Sequence, residues 1–307
     1  MIPVVHHPDY VAPARPGSRY QWNKNGLIRE LLLRSARPID WIEPEAMPVP
    51  WLERVHDPAY VEQVRKARVP ADKERRIGFP VDELVSRRAV RVPGGTFAAA
   101  LVAMARGFAA NSAGGSHHAL AESGAGYCVF NDLAVSAVRL VEDRRAARVL
   151  VVDCDVHQGD GTAALTAGRA DIATYSIHAE KNFPVRKARS TLDVGLPDGT
   201  GDTDYLAALE RSLVPLLDRF RPCVILYQAG VDPFAGDRLG RLALSQDGLD
   251  ARDRFVGELA RSRGIGLAST PGGGYGDDGW AIAGRHVRTI LTLADAIGAR
   301  LDTSARD

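Results

Sequence analysis

The chain has 307 residues, of which 45% are hydrophobic and 25% charged, and its formal net charge is +1. This ordinary globular composition excludes a disordered or collagen-like chain, and the small net charge excludes bulk electrostatic binding to nucleic acid or acidic membranes. The amino terminus lacks the pattern of a signal peptide, and no apolar stretch approaches the ~18 residues of a membrane span. Its three cysteines include no CxxC pair, so we expect a cytoplasmic protein without a disulfide framework.

The first half of the chain predicts loops and capped helices. Thr96, which follows two glycines, and Asn131 with Asp132 are side chains that favour the first position of a helix. The expected elements are exposed loops at 11–19 and 65–80 and helices at 96–106 and 132–144.

From residue 149 onwards, short apolar runs alternate with helical patterns. The predicted strands are 149–152, 172–177, 224–227 and 265–268, and the predicted helices are 205–217, 249–261 and 280–296. Strands separated by helices predict an α/β fold with a mostly parallel central sheet and helices on both faces. The connections are short, so we expect one domain over residues 1–307, with its chemistry at the carboxyl ends of the strands.

Acidic and histidine side chains directly follow these apolar runs. Asp155 and His157 are two residues apart in an extended segment, so both side chains face the same way. Asp232 follows the next buried strand along the chain. One imidazole and two carboxylates suit a divalent ion such as zinc and leave positions open for water and substrate.

Two further loops supply groups for acid–base chemistry. His117 and His118 form a tandem pair in a glycine-rich loop, and we expect them to act as general base and acid near the metal-bound water. Asp153 and Asp160 are the acids available to pair with one histidine each and to fix its tautomer. Tyr275 follows three glycines, from which its hydroxyl would donate a hydrogen bond to a developing oxyanion.

These motifs together resemble the histone deacetylase superfamily, which includes acetoin-utilisation proteins and acetylpolyamine amidohydrolases. The resemblance rests on residues 115–119, 126–132, 153–161, 229–232, 235–237 and 272–275, in family order. It implies a single arginase-like three-layer domain with an eight-stranded sheet, and an enzyme that hydrolyses an acylated amine, most simply an N-ε-acyl-lysine.

The resemblance also implies residue roles. Zinc is bound by Asp155, His157 and Asp232. His118 is the general base, paired with Asp160, and His117 is its electrostatic or acid partner, paired with Asp153. Tyr275 polarises the scissile carbonyl. The remaining expectations are a substrate channel formed by Gly126, Tyr127, Phe183 and Gly273, and a structural potassium ion at the backbone of Asp153, Asp155, His157, Ser176 and Ile177.

Three positions depart from the common family pattern. Gln158 replaces a second histidine and makes the chain more similar to the small class IV branch. Ser116 replaces a bulkier residue, which suggests a wider site floor that admits longer acyl chains, and Tyr127 replaces a phenylalanine of the channel wall. These departures leave the acyl length and the amine open.

Three other functions are considered. A binuclear manganese hydrolase of the arginase type would place an acid where Gly159 lies. A non-catalytic acyl-binding module would have lost a ligand or the tyrosine, and neither is missing. A polyamine deacetylase would have an acidic channel mouth, whereas residues 69–79 are rich in Arg and Lys. Zinc rather than ferrous iron is a family expectation, and the oligomeric state is left open.

Overall fold

The protein is described from a computed structural model, which covers residues 1–15 and 17–298. Eight strands form there: β1 Ile2–Val5, β2 Ile39–Ile42, β3 Phe108–Asn111, β4 Val149–Asp153, β5 Ile172–Ala179, β6 Leu192–Leu196, β7 Val224–Gln228 and β8 Gly266–Thr270. A 3-10 turn at Pro8–Tyr10 precedes the helices α1 Lys24–Arg34, α2 Val49–Glu53, α3 Pro58–Arg65, α4 Ala71–Ile77, α5 Glu83–Arg106, α6 Asp132–Glu142, α7 Asp160–Leu165, α8 Asp202–Phe220, α9 Gln246–Ser262 and α10 Gly279–Ile297.

The eight strands form one sheet in the order β2-β1-β3-β8-β7-β4-β5-β6. Every pair of neighbouring strands is parallel, so the sheet is fully parallel rather than mostly so. In register, Asp153 pairs with Gln228, and Gln228 pairs with Thr270. The last residues of β4, β7 and β8 therefore lie side by side, which brings the loops that follow them to one place.

The core lies in two layers, one on each face of the sheet. Successive residues of a strand point to opposite faces, so Leu150 and Val152 join one cluster while Val149 and Val151 join the other. The first cluster packs against α1, α8, α9 and α10, and the second against α2, α3, α5 and α6. The three-layer α/β architecture expected from the sequence is thereby confirmed.

The later elements agree closely with the sequence. All four predicted strands exist as β4, β5, β7 and β8, and the three later helices exist as α8, α9 and α10. Asn131 caps α6, because its side-chain oxygen accepts a hydrogen bond from the Ala134 amide at 2.9 Å. The strands β1, β2, β3 and β6 were not predicted. Single-domain organisation of residues 1–307 reaches beyond the described residues and stays a prediction.

The expectation of an exposed loop at 65–80 was wrong, because α4 forms there. Its buried end is Ile77, whose carbonyl accepts a hydrogen bond from the Tyr127 amide at 2.7 Å. The Glu74 side chain also accepts from the Val81 amide at 2.7 Å. The many charged residues suggested a loop, but they form a short helix whose last turn contacts the loop that contains Tyr127.

The expectation that Thr96 caps a helix was also wrong, since α5 begins at Glu83 and continues through Pro93 to Arg106. The two glycines do not end the helix. A Cβ at Gly94 would collide with the Glu45 carbonyl, and one at Gly95 would collide with the Tyr10 hydroxyl. These glycines allow other segments to approach the helix closely, which a sequence pattern alone does not distinguish from a break.

No helix within 1–15 and 17–298 combines the length and apolar character needed to cross a bilayer.

The close contact between Gly94 of α5 and the Glu45 carbonyl leads to a prediction about stability. We expect Gly94→Ala to lower the free energy of unfolding by about 1–3 kcal/mol, because the added methyl forces the Glu45 backbone away. Gly284→Ala is the matched control, since its site in α10 is open and alanine favours helix by about 1 kcal/mol. Denaturant unfolding of both variants measures this, and equal effects would contradict the packing argument.

Candidate metal centre and active site

Four loops converge at the carboxyl ends of the four central strands. His117 and His118 follow β3, and Asp155 and His157 follow β4. Asp232 follows β7, and the segment 272–275 with Tyr275 follows β8. Because β3, β8, β7 and β4 are consecutive in the sheet, these side chains meet at one edge, as the sequence predicts.

Asp155, His157 and Asp232 form a compact buried cluster whose ligand atoms all lie within 4.8 Å of one another. Nδ1 of His157 is 2.9 Å from Oδ1 of Asp155 and 3.2 Å from Oδ2 of Asp232. That Oδ2 atom is buried and accepts no hydrogen bond from any described residue. A buried carboxylate oxygen without a donor is an unusual and costly arrangement, and a bound cation would remove the cost. The donor set therefore fits a divalent metal ion.

The pKa shifts of the cluster residues also indicate a site that attracts a cation. Burial and the neighbouring Asp155 carboxylate raise the pKa of Asp232 above its ordinary value. Burial opposes the charged form of His157, but its hydrogen bond with Asp155 and the negative charges of both aspartates outweigh burial and raise its pKa to about 10. A pocket that attracts a proton this strongly also attracts a metal cation, which would displace that proton.

The two histidines of the tandem pair each contact one aspartate. Nδ1 of His117 is 2.7 Å from Oδ2 of Asp153, and Nδ1 of His118 is 2.7 Å from Oδ1 of Asp160. Each contact leaves Nε2 of the imidazole free to act elsewhere. The sequence left the pairing of the four groups open, and the structure brings together the pairs that the family resemblance implies.

The environment gives the two histidines different charges. Burial disfavours the charged form of His117, but Asp153 and Asp155 outweigh burial and raise its pKa to about 9. Burial and the positive charge on His117 lower the pKa of His118 to about 4. These opposite shifts favour a cationic His117 and a neutral His118 near neutral pH. Groups whose pKa values are driven apart in this way are suited to separate acid and base roles.

Further residues hold the candidate metal ligands in place. The side-chain amide of Gln228, the last residue of β7, donates to Oδ2 of Asp155 at 2.7 Å. The Gly273 amide donates to the same oxygen at 2.8 Å, and the Val156 amide donates to Oδ1 of Asp232 at 2.9 Å. A polar residue at the end of an apolar strand was the available signal for Gln228.

A buried arginine, Arg252, contacts the loops after β4 and β7, which carry the candidate metal ligands. Arg252 of α9 donates to the carbonyl of Cys154 at 3.2 Å and to that of Gly230 at 2.7 Å. Its own charge is balanced by Asp253, 2.8 Å away. The guanidinium thus ties the β4 loop to the β7 loop. Nothing in the helical pattern of α9 distinguishes Arg252 from a surface residue.

Asp132 and Asp237 position the other two loops. The Asp132 carboxylate accepts hydrogen bonds from the amides of Gly115 and Ser116, at 3.1 and 2.7 Å, just before the histidine pair. Asp237 accepts from the Tyr275 amide at 2.6 Å. Each carboxylate fixes a loop whose glycines would otherwise leave it free to move.

The expected channel residues line a cleft of about 760 Å³ beside the metal cluster. The Phe183 ring lies 4.8 Å from the His118 ring, and the Tyr127 ring lies 5.8 Å from the Tyr275 ring. A Cβ at Gly126 would collide with His118, so glycine is required there. Gly273 lines the adjoining cavity instead, together with Gly126 and Tyr127, and a Cβ at Gly273 would collide with Asp232.

A second cavity adjoins the site. Ser116, His117 and Tyr275 line it, together with the buried Lys24. The Lys24 ammonium donates to the Gly272 carbonyl at 2.5 Å, and burial lowers its pKa to about 8. Ser116 is one of the lining residues of this cavity, and the wider site floor expected from its small side chain stays a prediction.

The residues expected at the potassium site lie on neighbouring strands. Asp153 at the end of β4 pairs in register with Ser176 of β5, and Ile177 is the next residue of β5. Asp155 and His157 follow in the β4 loop. All five residues are buried.

The fold and the buried Asp–His–Asp cluster define a three-layer α/β hydrolase with a candidate metal centre. The family model described as "Histone deacetylase domain" matches residues 16–291. The chain therefore belongs to the histone deacetylase family, a family of hydrolases that act on acetylated amides.

The chain is also similar to individual proteins. The chain is 41% identical to an uncharacterized protein of Picosynechococcus sp., over 93% of this chain and 96% of that one. It is 31% identical to the histone deacetylase-like amidohydrolase of Pseudomonas aeruginosa, over 82% of this chain and 68% of that one. The crystal structure of an acetylpolyamine aminohydrolase from Burkholderia pseudomallei superposes with a TM-score of 0.75, at 21% identity, over 97% of this chain and 99% of that one. At this identity the superposition supports the fold alone.

The orphaned carboxylate oxygen generates a prediction about metal content. We expect Asp232→Asn to lower zinc affinity by more than the ~100-fold typical of residues behind the ligands. The change also removes a buried charge, so the metal-free protein should stay folded. Zinc per chain after dialysis against a chelator, with circular dichroism on the same samples, measures both effects.

Asp277→Asn is the control, because Asp277 is an exposed acid paired with Arg238. It should keep its zinc. Full zinc occupancy in Asp232→Asn under the same dialysis would show that Asp232 is not a ligand.

Proposed function

We propose that the protein is a zinc-dependent deacylase that hydrolyses N-ε-acyl-lysine amides. The observation that carries the proposal is the convergence of a buried Asp155–His157–Asp232 cluster, a neutral His118 and Tyr275 at one cleft. When zinc is bound by the three ligands, it polarises the amide carbonyl and lowers the pKa of water toward ~7. We assign one zinc ion per chain to this cluster.

His118 is proposed as the general base. It is neutral near pH 7, because burial and the His117 charge lower its pKa to about 4, so it has a free nitrogen to accept a proton. Asp160 holds Nδ1 and thereby directs Nε2 away from itself. His118 takes the proton of the attacking water and then delivers a proton to the leaving amine, which would be a very poor leaving group without it.

His117 and Tyr275 are proposed to stabilise the charge that develops on the carbonyl oxygen. His117 stays cationic through its contact with Asp153, and contributes a fixed positive charge. Burial and the carboxylates of Asp155 and Asp232 raise the pKa of Tyr275 well above its ordinary value, so its hydroxyl remains a donor. A donor already oriented toward the developing oxyanion lowers the barrier without reorganisation.

The cleft supports a linear acyl-lysine substrate. The rings of Tyr127 and Phe183 line it and suit an aliphatic side chain. Small acylated amines such as acetylpolyamines are the alternative substrates, and a fold neighbour of that activity exists. The cavity that Ser116 lines supports acceptance of acyl groups longer than acetyl.

We also propose a structural potassium ion at the backbone of Asp153, Asp155, His157, Ser176 and Ile177. Its support is the register of β4 and β5, which brings these buried residues together, and the clustering of Asp153 and Asp155. The zinc-loaded protein should unfold at a higher temperature in KCl than in NaCl of equal ionic strength. Identical melting temperatures in the two salts would argue against the ion.

A reducing, cytoplasmic location is proposed from the thiols. Cys128 and Cys154 are buried, Cys223 is exposed, and all three are free. Exposed free thiols persist in reducing compartments.

Tyr275→Phe tests the proposed chemistry. Loss of the hydroxyl should lower kcat on an acetyl-lysine peptide by about 10²–10³-fold, the usual effect of removing one oxyanion donor. Zinc content should not change, because Tyr275 is not a ligand. The measurement is steady-state turnover with zinc analysis of the same preparation.

Tyr127→Phe is the matched control, since it removes a hydroxyl from the adjacent ring, 5.8 Å away. It should keep most of the turnover. Turnover of Tyr275→Phe equal to that of Tyr127→Phe would contradict the role of Tyr275. A protein that binds acyl-lysine peptide without turnover in any variant would instead be the non-catalytic binding module.

A further inference from the structure

Positive side chains lie at the cleft and on a loop that contributes to its lining. Arg76, at the end of α4, lines the cleft itself. The loop 181–189, whose Asn182 and Phe183 also line the cleft, carries four cations, Lys181, Arg186, Lys187 and Arg189, but no acid. The whole chain has a net charge of only +1, so the positive charge is concentrated here.

This loop, which we call the mouth loop (residues 181–189), is fixed by specific contacts. Gln158, next to the metal ligand His157, both donates to the carbonyl and accepts from the amide of Ala188, each at 2.8 Å. The Asn182 side chain donates to the Leu239 carbonyl at 2.9 Å. The Lys187 ammonium donates to the carbonyls of Asn182 and Pro184, at 2.6 and 2.7 Å.

Gln158, which departs from the common family pattern, therefore helps to fix the mouth loop. Because the mouth loop is attached at several points, its charges are held near Phe183. Arg186 is three residues from Phe183, a chain length of at most about 10 Å.

The cations of the mouth are not neutralised. In the described part of the chain, Arg76, Lys181, Arg186 and Arg189 are exposed and form no ion pair. Nearby acids are occupied instead. Asp160 contacts His118, Asp237 accepts three backbone amides, and Asp277 pairs with Arg238. Glu180, directly before the mouth loop, and Asp193 are exposed acids close enough to act on Lys187.

We propose that this mouth selects acyl-lysine residues that lie within acidic peptide sequences. The proposal rests on the proposed deacylase function and adds the class of substrate. Acyl-lysine itself is neutral, so it carries no charge to the mouth, and the residues beside it decide the electrostatic term. Aspartate and glutamate flanks would meet the unpaired guanidinium groups, whereas arginine or lysine flanks would be repelled.

Charge complementarity favours this substrate over the two main alternatives. Acetylpolyamines keep positive amines close to the acyl group, and basic protein tails keep lysines there. Both would bring positive charge against Arg76 and the mouth loop. Phe183 is partly exposed and Val185 almost fully exposed, which gives the peptide apolar contacts between the charges.

The test compares three substrates with zinc-loaded protein at low and high ionic strength. They are an acetyl-lysine peptide with glutamate flanks, the same peptide with arginine flanks, and N-acetylspermidine. We expect kcat/KM to be at least about tenfold higher for the glutamate peptide at low salt, and the difference to shrink as salt screens it. Anisotropy of the labelled peptides, which needs no turnover, measures binding in parallel.

A charge-reversal pair locates the effect. Arg186→Glu with Arg189→Glu should abolish or invert the preference, while turnover of an uncharged acetyl-lysine peptide stays near wild type. Arg219→Glu with Arg261→Glu is the matched control. These exposed arginines end α8 and α9, just before β7 and β8 begin, so they lie at the opposite edge of the sheet.

The outcomes separate the two proposals. Equal or better use of the arginine peptide or N-acetylspermidine would overturn the acidic-substrate proposal while leaving the deacylase function intact. An equal loss of preference in the control pair would also overturn it, because net charge rather than the mouth would then decide. Absence of turnover on every substrate would overturn the deacylase function, and the anisotropy ratio would still decide whether the mouth prefers acidic peptides.

Discussion

The structure depends on two carboxylates that are buried side by side at the end of a parallel sheet. Asp155 and Asp232 are almost fully buried, and one oxygen of Asp232 has no hydrogen-bond donor among the described residues. Such an arrangement is unstable unless positive charge compensates it. Amide groups of Gln228 and Gly273 donate hydrogen bonds to Asp155. Arg252 links the backbones of the loops that carry the two aspartates. Gly273 has no side chain, and a Cβ at this position would collide with both carboxylates.

The same negative centre organises the residues around it. Asp153 and Asp155 keep His117 cationic, and that cation in turn helps to keep His118 neutral. Two adjacent histidines thereby acquire opposite protonation without any difference in residue type. Asp155 and Asp232 also hold the Tyr275 hydroxyl in its protonated form. In the proposed mechanism, burial and neighbouring charges together separate the base, the charge stabiliser and the hydrogen-bond donor, and the proposed role of the basic mouth is to act on the residues beside the acyl-lysine.

The sequence predicted the centre of this molecule better than its periphery. Val149–Asp153 and Val224–Gln228 are buried on both faces, so their apolar runs are unambiguous, and polar residues directly after them had to meet at one edge. Helix α5 was misread because Gly94 and Gly95 serve close packing, and α4 was misread because its charges hide a buried Ile77. The contacts of Lys24 with Gly272, of Arg252 with Gly230 and of Gln158 with Ala188 were not predicted. Each contact joins residues far apart in the chain, which no local sequence pattern reveals.

The central claim is that one metal ion at Asp155, His157 and Asp232 supports amide hydrolysis. The most direct test is to strip the protein of metal, return zinc in measured fractions of an equivalent, and follow hydrolysis of an acetyl-lysine peptide with and without a hydroxamate chelator. We predict that activity rises linearly, saturates at one zinc per chain and is abolished by the hydroxamate. Saturation at two equivalents, or full activity in the stripped protein, would contradict the account.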